Sequence, residues 1–178
     1  MTAEATHQDH EWLGVMTFRG AAHPWLCDVM GHLNTRNYAA MFDDAGMQLL
    51  GFIGHDFASR DQNDFGWADV RLHIDLKAEV HPGTLIAVRS RVLKIGRSSL
   101  SARHTMIGVS DERIRAVAET IVVYFDLTAR KSSEIPPHVR AEAERLHCKN
   151  LIAERIAAEG QVLIGWRALP TDPDGADI

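Results

Sequence analysis

Asp28 stands three residues before Gly31-His32, and Asn34-Thr35 follow at once. Apolar residues then recur at helical spacing, so a helix opens at Asn34 or Thr35 and runs to about Ile53. A carboxylate is thereby held beside a helix N-terminus, where backbone N–H groups lack intrahelical partners and the helix dipole is positive. A carbonyl oxygen that gains negative charge is stabilised at such a place. A base or nucleophile and an oxyanion site within a few residues are what acyl transfer requires. The plainer reading is that an Asp before a helix is a cap or turn residue. The spacing alone leaves both open.

Other nucleophiles fare worse. Cys27 adjoins Asp28, and a neighbouring carboxylate disfavours a thiolate, so Cys27 reads as a small buried residue. No Gly-x-Ser-x-Gly elbow is present, and Ser98-Ser99 lie where a turn meets a strand. His7 and His10 are three apart with no further ligands nearby, so no metal site is expected.

The elements that hold this stretch follow from hydrophobic period. Residues 12–19, with Leu13, Val15, Met16 and Phe18, read as a first strand that Gly20 ends; residues 21–33, interrupted by Pro24, read as an irregular loop. In the helix the apolar positions are Tyr38, Met41, Phe42, Ala45, Leu49, Phe52 and Ile53, with Gly51 and Gly54 at its end. At least one of Asp43 and Asp44 should face solvent. Residues 55–66 read as a polar loop that could border a pocket. Val70, Leu72, Ile74 and Leu76 then alternate with Arg71, His73, Asp75 and Lys77, which is a half-buried strand. His81-Pro82-Gly83 is a turn. Residues 84–95 form a strand whose phase changes near Leu93. Gly96-Arg97-Ser98 turns into a strand over 99–108, Ser110-Asp111-Glu112 turns again, and residues 113–127 form a strand apolar on both faces, hence internal to the sheet. Strand, helix and four strands on short turns give an antiparallel sheet with one helix packed on it, an α+β fold. After Ile135-Pro136-Pro137, residues 138–158 read as one or two helices with Pro137 in a first turn. Residues 161–166 add a short strand or an apolar tail, and 171–178 are expected to be disordered.

Bulk properties are consistent with one domain and a small appendage in 178 residues: a leader over 1–11, the main domain over 12–130 and a helical extension over 131–178. The net charge of −5 argues against non-specific nucleic-acid binding. No apolar run reaches the length of a membrane span, and residues 1–11 lack the features of a signal peptide. Two distant cysteines fit a reducing cytoplasm and no disulfide framework.

The run Asp28-x-x-Gly31-His32-x-Asn34-x-x-x-Tyr38, followed by Met41-Phe42-Asp43-Asp44-Ala45, resembles the signature of the hotdog-fold acyl-CoA thioesterases related to 4-hydroxybenzoyl-CoA thioesterase. The likeness spans roughly residues 14–130. It implies a curved antiparallel sheet wrapped around the helix, with Asp28 as the catalytic carboxylate. Asp28 then either attacks the thioester carbonyl or deprotonates water. It implies a backbone N–H at Thr35 as oxyanion donor, His32 and Asn34 as positioning groups, and Gly31 and Tyr38 as substrate-binding positions. In similar enzymes the turn corresponding to Lys94-Ile95-Gly96-Arg97-Ser98-Ser99 lies near coenzyme A, so Arg97, Ser98 and Ser99 are substrate-binding candidates too. Many relatives carry a second Asn where this chain has Thr35, and an acidic residue is common at the position of Asp43. The resemblance further implies a homodimer or homotetramer with the site between subunits, and no cofactor beyond the coenzyme A of the substrate. Trp25, the Phe42-Asp43-Asp44-Ala45 run, His104 and Met106 are similar to thioesterases that accompany carnitine dehydrogenases and act on betainyl-CoA. Those motifs are too short to choose a substrate. Two other functions share the fold: an enoyl-thioester hydratase, for which the Asp-x-Asn-x-x-His motif is lacking, and a non-catalytic module that binds acyl-CoA as sensor or scaffold.

Overall fold

The computed structural model describes residues 14–57 and 64–158, with side chains to residue 151. Expectations for the leader, for Trp12 and Leu13, for half of the 55–66 loop and for everything after residue 158 lie outside these residues. The elements are β1 (Val15–Ala21), a 3-10 turn (Pro24–Leu26), α1 (Thr35–Phe52), β2 (Phe65–Leu76), β3 (Leu85–Ile95), β4 (Ser99–Gly108), β5 (Ile114–Asp126), β6 (Lys131–Ser132) and α2 (Pro137–Ala158). The sheet runs β1-β3-β4-β5-β2, every pairing described is antiparallel, and β6 adds two residues beside the end of β5. β5 is internal, as its two apolar faces require.

α1 lies against β1, β3 and β4. Its buried face is Tyr38, Met41, Phe42, Ala45, Leu49 and Leu50, and both Asp43 and Asp44 are exposed. Asn34 caps it by accepting from the Arg36 N–H at 3.2 Å. The Ile53 N–H bonds Leu49 O, and Gly54 follows with φ +89°, a conformation that favours glycine. The first half of α1 packs with Val80, Ile86, Val88, Met106, Ala116 and Ala118. Its second half shares a core with Val92, Leu100, Val122, Ile135 and the first half of α2, through Val139, Ala143 and Leu146. This is the curved sheet around a helix that the resemblance implied.

Three details depart from expectation. Gly20 does not end β1: it pairs with Ile86, and the Phe18 ring covers it so closely that an added Cβ would meet ring carbons at 2.9 and 3.0 Å. β2 begins at Phe65 and carries a bulge between Asp69 and Arg71, so Val70 is the extra residue and the alternation proper is Leu72, Ile74, Leu76. The apolar side of β2 is only partly covered. Ile74 packs on the core, whereas Val70, Leu72 and Leu76 are 60%, 48% and 52% exposed. The cause is position: β2 is an edge strand on the side of the sheet away from the strands that α1 covers. The phase change foreseen near Leu93 is present as a register shift between Val92 and Lys94.

Candidate active site

Residues 27–33 form a closed loop. Cys27 and Leu33 make an isolated bridge, the Asp28 N–H donates to His32 O at 2.8 Å, and the Gly31 N–H donates to Asp28 O at 3.1 Å. Gly31 has φ +79°, which lets the chain reverse here. Inside this loop the Asp28 carboxylate accepts two backbone hydrogen bonds on one oxygen, from Met30 N at 2.9 Å and from His32 N at 3.2 Å, both to Oδ1. Oδ2 has no hydrogen-bond or ion-pair partner among the described residues. Asp28 is therefore a turn residue and not the helix cap, a role that Asn34 takes. One oxygen is fixed and the other is left available.

The loop is tied to the helix mouth. Leu26 O accepts from the Asn34 N–H at 3.0 Å and from Asn37 Nδ2 at 2.6 Å, and the Leu33 N–H bonds Val80 O at 2.8 Å. With the Arg36 N–H taken by Asn34 and the Asn37 N–H bonded to Asn34 O at 2.8 Å, the N–H of Thr35 is left without an acceptor among the described residues. An unpaired donor at a helix start is where an anionic oxygen is stabilised.

The other expected residues divide by place. Gly31, His32, Asn34, Thr35 and Tyr38 stand with Asp28 on the loop and the first turn of α1. His32 Nε2 lies 3.6 Å from Glu79 Oε2, which is itself 3.7 Å from His81 Nε2, while His81 Nδ1 reaches Gly31 O at 3.4 Å. The ligand atoms of His32, Glu79 and His81 fall within 4.8 Å of one another, so among the described residues these three could hold a metal ion; Glu79 and His81 are exposed. Tyr38 is a core residue at 4% exposure, and burial pushes its phenol up from the ordinary value. Arg97, Ser98 and Ser99 are elsewhere. They form the β3–β4 turn, at the far end of β3 from the Asp28 loop, about 33 Å along a strand that rises ~3.3 Å per residue. Within one chain they do not meet Asp28. Their turn is braced by the extension: Arg97 O accepts from the Ile135 N–H at 3.0 Å and from Arg140 Nη2 at 3.1 Å.

Two features escaped the sequence reading. The first is a cavity of about 580 Å³ between α1 and the inner face of β4, β5 and β2, bordered by Asp43, Phe57, Trp67, Asp69, His104 and Thr120 among others. The second is a buried polar chain across four strands. Thr17 Oγ1 lies 2.6 Å from Ser90 Oγ, Ser90 Oγ 2.6 Å from His104 Nδ1, and His104 Nε2 3.1 Å from Thr120 Oγ1. Burial pushes the His104 imidazole down to about 4, so it is neutral at pH 7. His104 entered the sequence reading only through the likeness to the betainyl-CoA thioesterases, and nothing there foretold its buried partners. Asn37, Glu79 and His81 gave no signal that separated them from solvated surface.

The sequence profile of the thioesterase-like superfamily matches residues 22–143. A betainyl-CoA thioesterase of Pseudomonas aeruginosa is 25% identical over 130 residues, 73% of this chain and 82% of that protein. The L-carnitine dehydrogenase/betainyl-CoA thioesterase of Agrobacterium fabrum is 26% identical over 70% of this chain, which is a quarter of that protein. Among solved structures, the 1,4-dihydroxy-2-naphthoyl-CoA thioesterase of Synechocystis superposes with a TM-score of 0.66 at 18% identity, over 74% of this chain and 96% of that one. A Staphylococcus aureus protein solved in complex with CoA gives a TM-score of 0.71 at 15% identity, over 87% and 91%. The fold is the hotdog fold. No described helix is long and apolar enough to cross a membrane.

Proposed function

The chain belongs to the thioesterase-like superfamily, and from that premise we propose that this thioester hydrolase cleaves acyl-CoA to free acid and CoA with Asp28 as its catalytic carboxylate. The observation that carries the reading is the free Oδ2 of Asp28 on a loop that leads directly into an unpaired Thr35 N–H. The Thr35 N–H receives the carbonyl oxygen and stabilises it as it becomes an oxyanion. Asp28 Oδ2 then acts in one of two ways. As nucleophile it forms a mixed anhydride and expels the CoA thiolate, and water hydrolyses the anhydride. As general base it takes a proton from water, whose oxygen forms the new C–O bond while the C–S bond breaks. The two backbone bonds to Oδ1 hold the carboxylate at a fixed angle in either route, which is the positioning that such chemistry needs. His32 and Asn34 flank the reacting centre, His32 oriented by Glu79.

The coenzyme moiety is assigned to the Arg97-Ser98-Ser99 turn of a second copy, since the turn of the same chain stands at the opposite end of β3. A homodimer is supported by the edge position of β2 and its exposed Val70, Leu72 and Leu76, a long apolar edge of the kind that proteins cover.

Thr35→Pro tests the oxyanion assignment. It removes the N–H, yet proline is favoured at the first helical position, and Asn34 already has the extended conformation (φ −64°, ψ 138°) that precedes proline. The expected result is a fall in kcat of about 10²–10³ for CoA release, the scale for losing one oxyanion donor, with an unchanged melting temperature. A variant that turns over like the wild type would remove Thr35 from the chemistry.

A further inference from the structure

We propose that His32, Glu79 and His81 bind one divalent transition-metal ion of the Zn²⁺ class, which clamps the Asp28 loop to the segment between β2 and β3. The site goes beyond the thioesterase chemistry and does not depend on it.

Ligand geometry is the first ground. Glu79 Oε2 lies 3.6 Å from His32 Nε2 and 3.7 Å from His81 Nε2, and the three ligand atoms fall within 4.8 Å of one another. Both separations are longer than a hydrogen bond. They come close to the edge of a ligand tetrahedron around Zn²⁺, about 3.3 Å for bonds of ~2.0–2.1 Å. The two imidazoles are tilted by 55° with centroids 5.0 Å apart. Unstacked in this way, both ring edges can turn to one point, and small rotations of the exposed Glu79 and His81 side chains close the site.

The outer contact of His81 is the second ground. Its Nδ1 lies 3.4 Å from Gly31 O. A carbonyl oxygen only accepts, so in the neutral ring the proton sits on Nδ1 and the lone pair on Nε2, the nitrogen that faces Glu79. A far nitrogen that donates to a backbone carbonyl is how a metal-ligating histidine is oriented.

The backbone is the third. Val80 is fully buried, with the exposed Glu79 and His81 on either side of it. The Leu33 N–H, one residue from His32, bonds Val80 O at 2.8 Å, and Glu79 O accepts from Arg115 Nη1 at 3.3 Å. The fold thus holds the three residues together before any ion arrives, and only side chains are left to order.

The donor set selects the ion. Two imidazole nitrogens and one carboxylate oxygen are ligands for Zn²⁺ with a fourth position open to water. Ca²⁺ and Mg²⁺ take oxygen ligands instead. The exposure of Glu79 and His81 gives the ion its path of entry. The His32 N–H also holds Asp28 Oδ1, so an ion on the His32 side chain restrains the loop that carries this carboxylate.

The test titrates untagged, chelator-stripped protein with Zn²⁺ by calorimetry at pH 7, with Mg²⁺ as the control. One Zn²⁺ should bind per chain, and Mg²⁺ should not. His81→Ala and Glu79→Gln should each weaken Zn²⁺ binding tenfold or more, since loss of an outer-shell partner alone costs about 10–100-fold. Zn²⁺ at about a hundredfold excess over its Kd should raise the melting temperature of the wild type by roughly 5 °C or more, and that of either variant by less at the same concentration. Zn²⁺ affinity equal in the wild type and both variants would place the ion elsewhere and overturn the site, as would the absence of Zn²⁺ binding. CoA release is measured separately on the stripped protein, so the metal site and the thioesterase reading can each fail without the other.

Discussion

Asp28 and His104 illustrate two fates of an ionisable residue in this fold. Asp28 sits half-buried at a rim, with one oxygen held by Met30 and His32 and the other free. His104 is 1% exposed, bonded on both ring nitrogens by Ser90 and Thr120. A consequence for stability follows from His104. Its folded value, about 4, lies below the ordinary 6.5. Between those values the unfolded chain binds a proton that the folded protein refuses, so stability is full above pH 6.5 and is lost as pH falls toward 4. At ~1.4 kcal/mol per pH unit the loss approaches roughly 3 kcal/mol at pH 4. Urea unfolding at pH 7 and at pH 4.5 should show this dependence in the wild type and a flatter one in His104→Gln. Equal slopes would mean that other groups set the acid limit. Of the candidate site residues read from sequence, those that the structure brings together lie within eleven positions of one another, Asp28 to Tyr38, because a loop closed on itself and a helix cap are local devices. Glu79 and His81 reach the Asp28 loop, and Trp67 and Asp69 the cavity, only through the tertiary fold, and nothing in their own neighbourhoods announces it.

Among elements, strand β3 and the long helix were readable in detail, whereas β2 was readable as a strand but not in its start or its bulge. In β3 the apolar pattern itself shifts at Leu93, which marks the bulge. In β2 the run Val70, Leu72, Ile74, Leu76 alternates without a break, so the bulge that leaves Val70 unpaired and brings Trp67 and Asp69 to the cavity is invisible. Burial along β2 failed for a second reason: alternation tells which side a residue faces, and not whether anything covers that side. The extension is an element of the core as well as an appendage. Ile135 is 1% exposed, packs with Leu49, Leu50, Val92 and Leu100, and its N–H holds the Arg97 carbonyl. Ile135→Ala should destabilise by about 3 kcal/mol, the middle of the range for emptying a buried aliphatic site. Thermal or urea unfolding checks it; a cost under ~1 kcal/mol would show that the end of α1 does not need this cover.

At the scale of the molecule, strand β2 leaves twelve residues at an open edge, and the Asp28 loop and the Arg97 turn lie at opposite ends of one chain. The second copy proposed above would answer both. The mass by light scattering should be at least twice the 19.8 kDa of the chain, and Leu72→Lys with Leu76→Lys should lower it. A monomer of full activity would contradict the shared site. The central claim, that Asp28 performs the chemistry, is tested most directly by CoA release from a panel of acyl-CoAs with Asp28→Asn beside the wild type. The substitution keeps the size and the Oδ1 contacts and removes the charge. The account predicts a loss of ~10²-fold or more in kcat with the fold intact, the scale for removing a general base. Equal rates in the two proteins would leave Asp28 as a turn residue and nothing more.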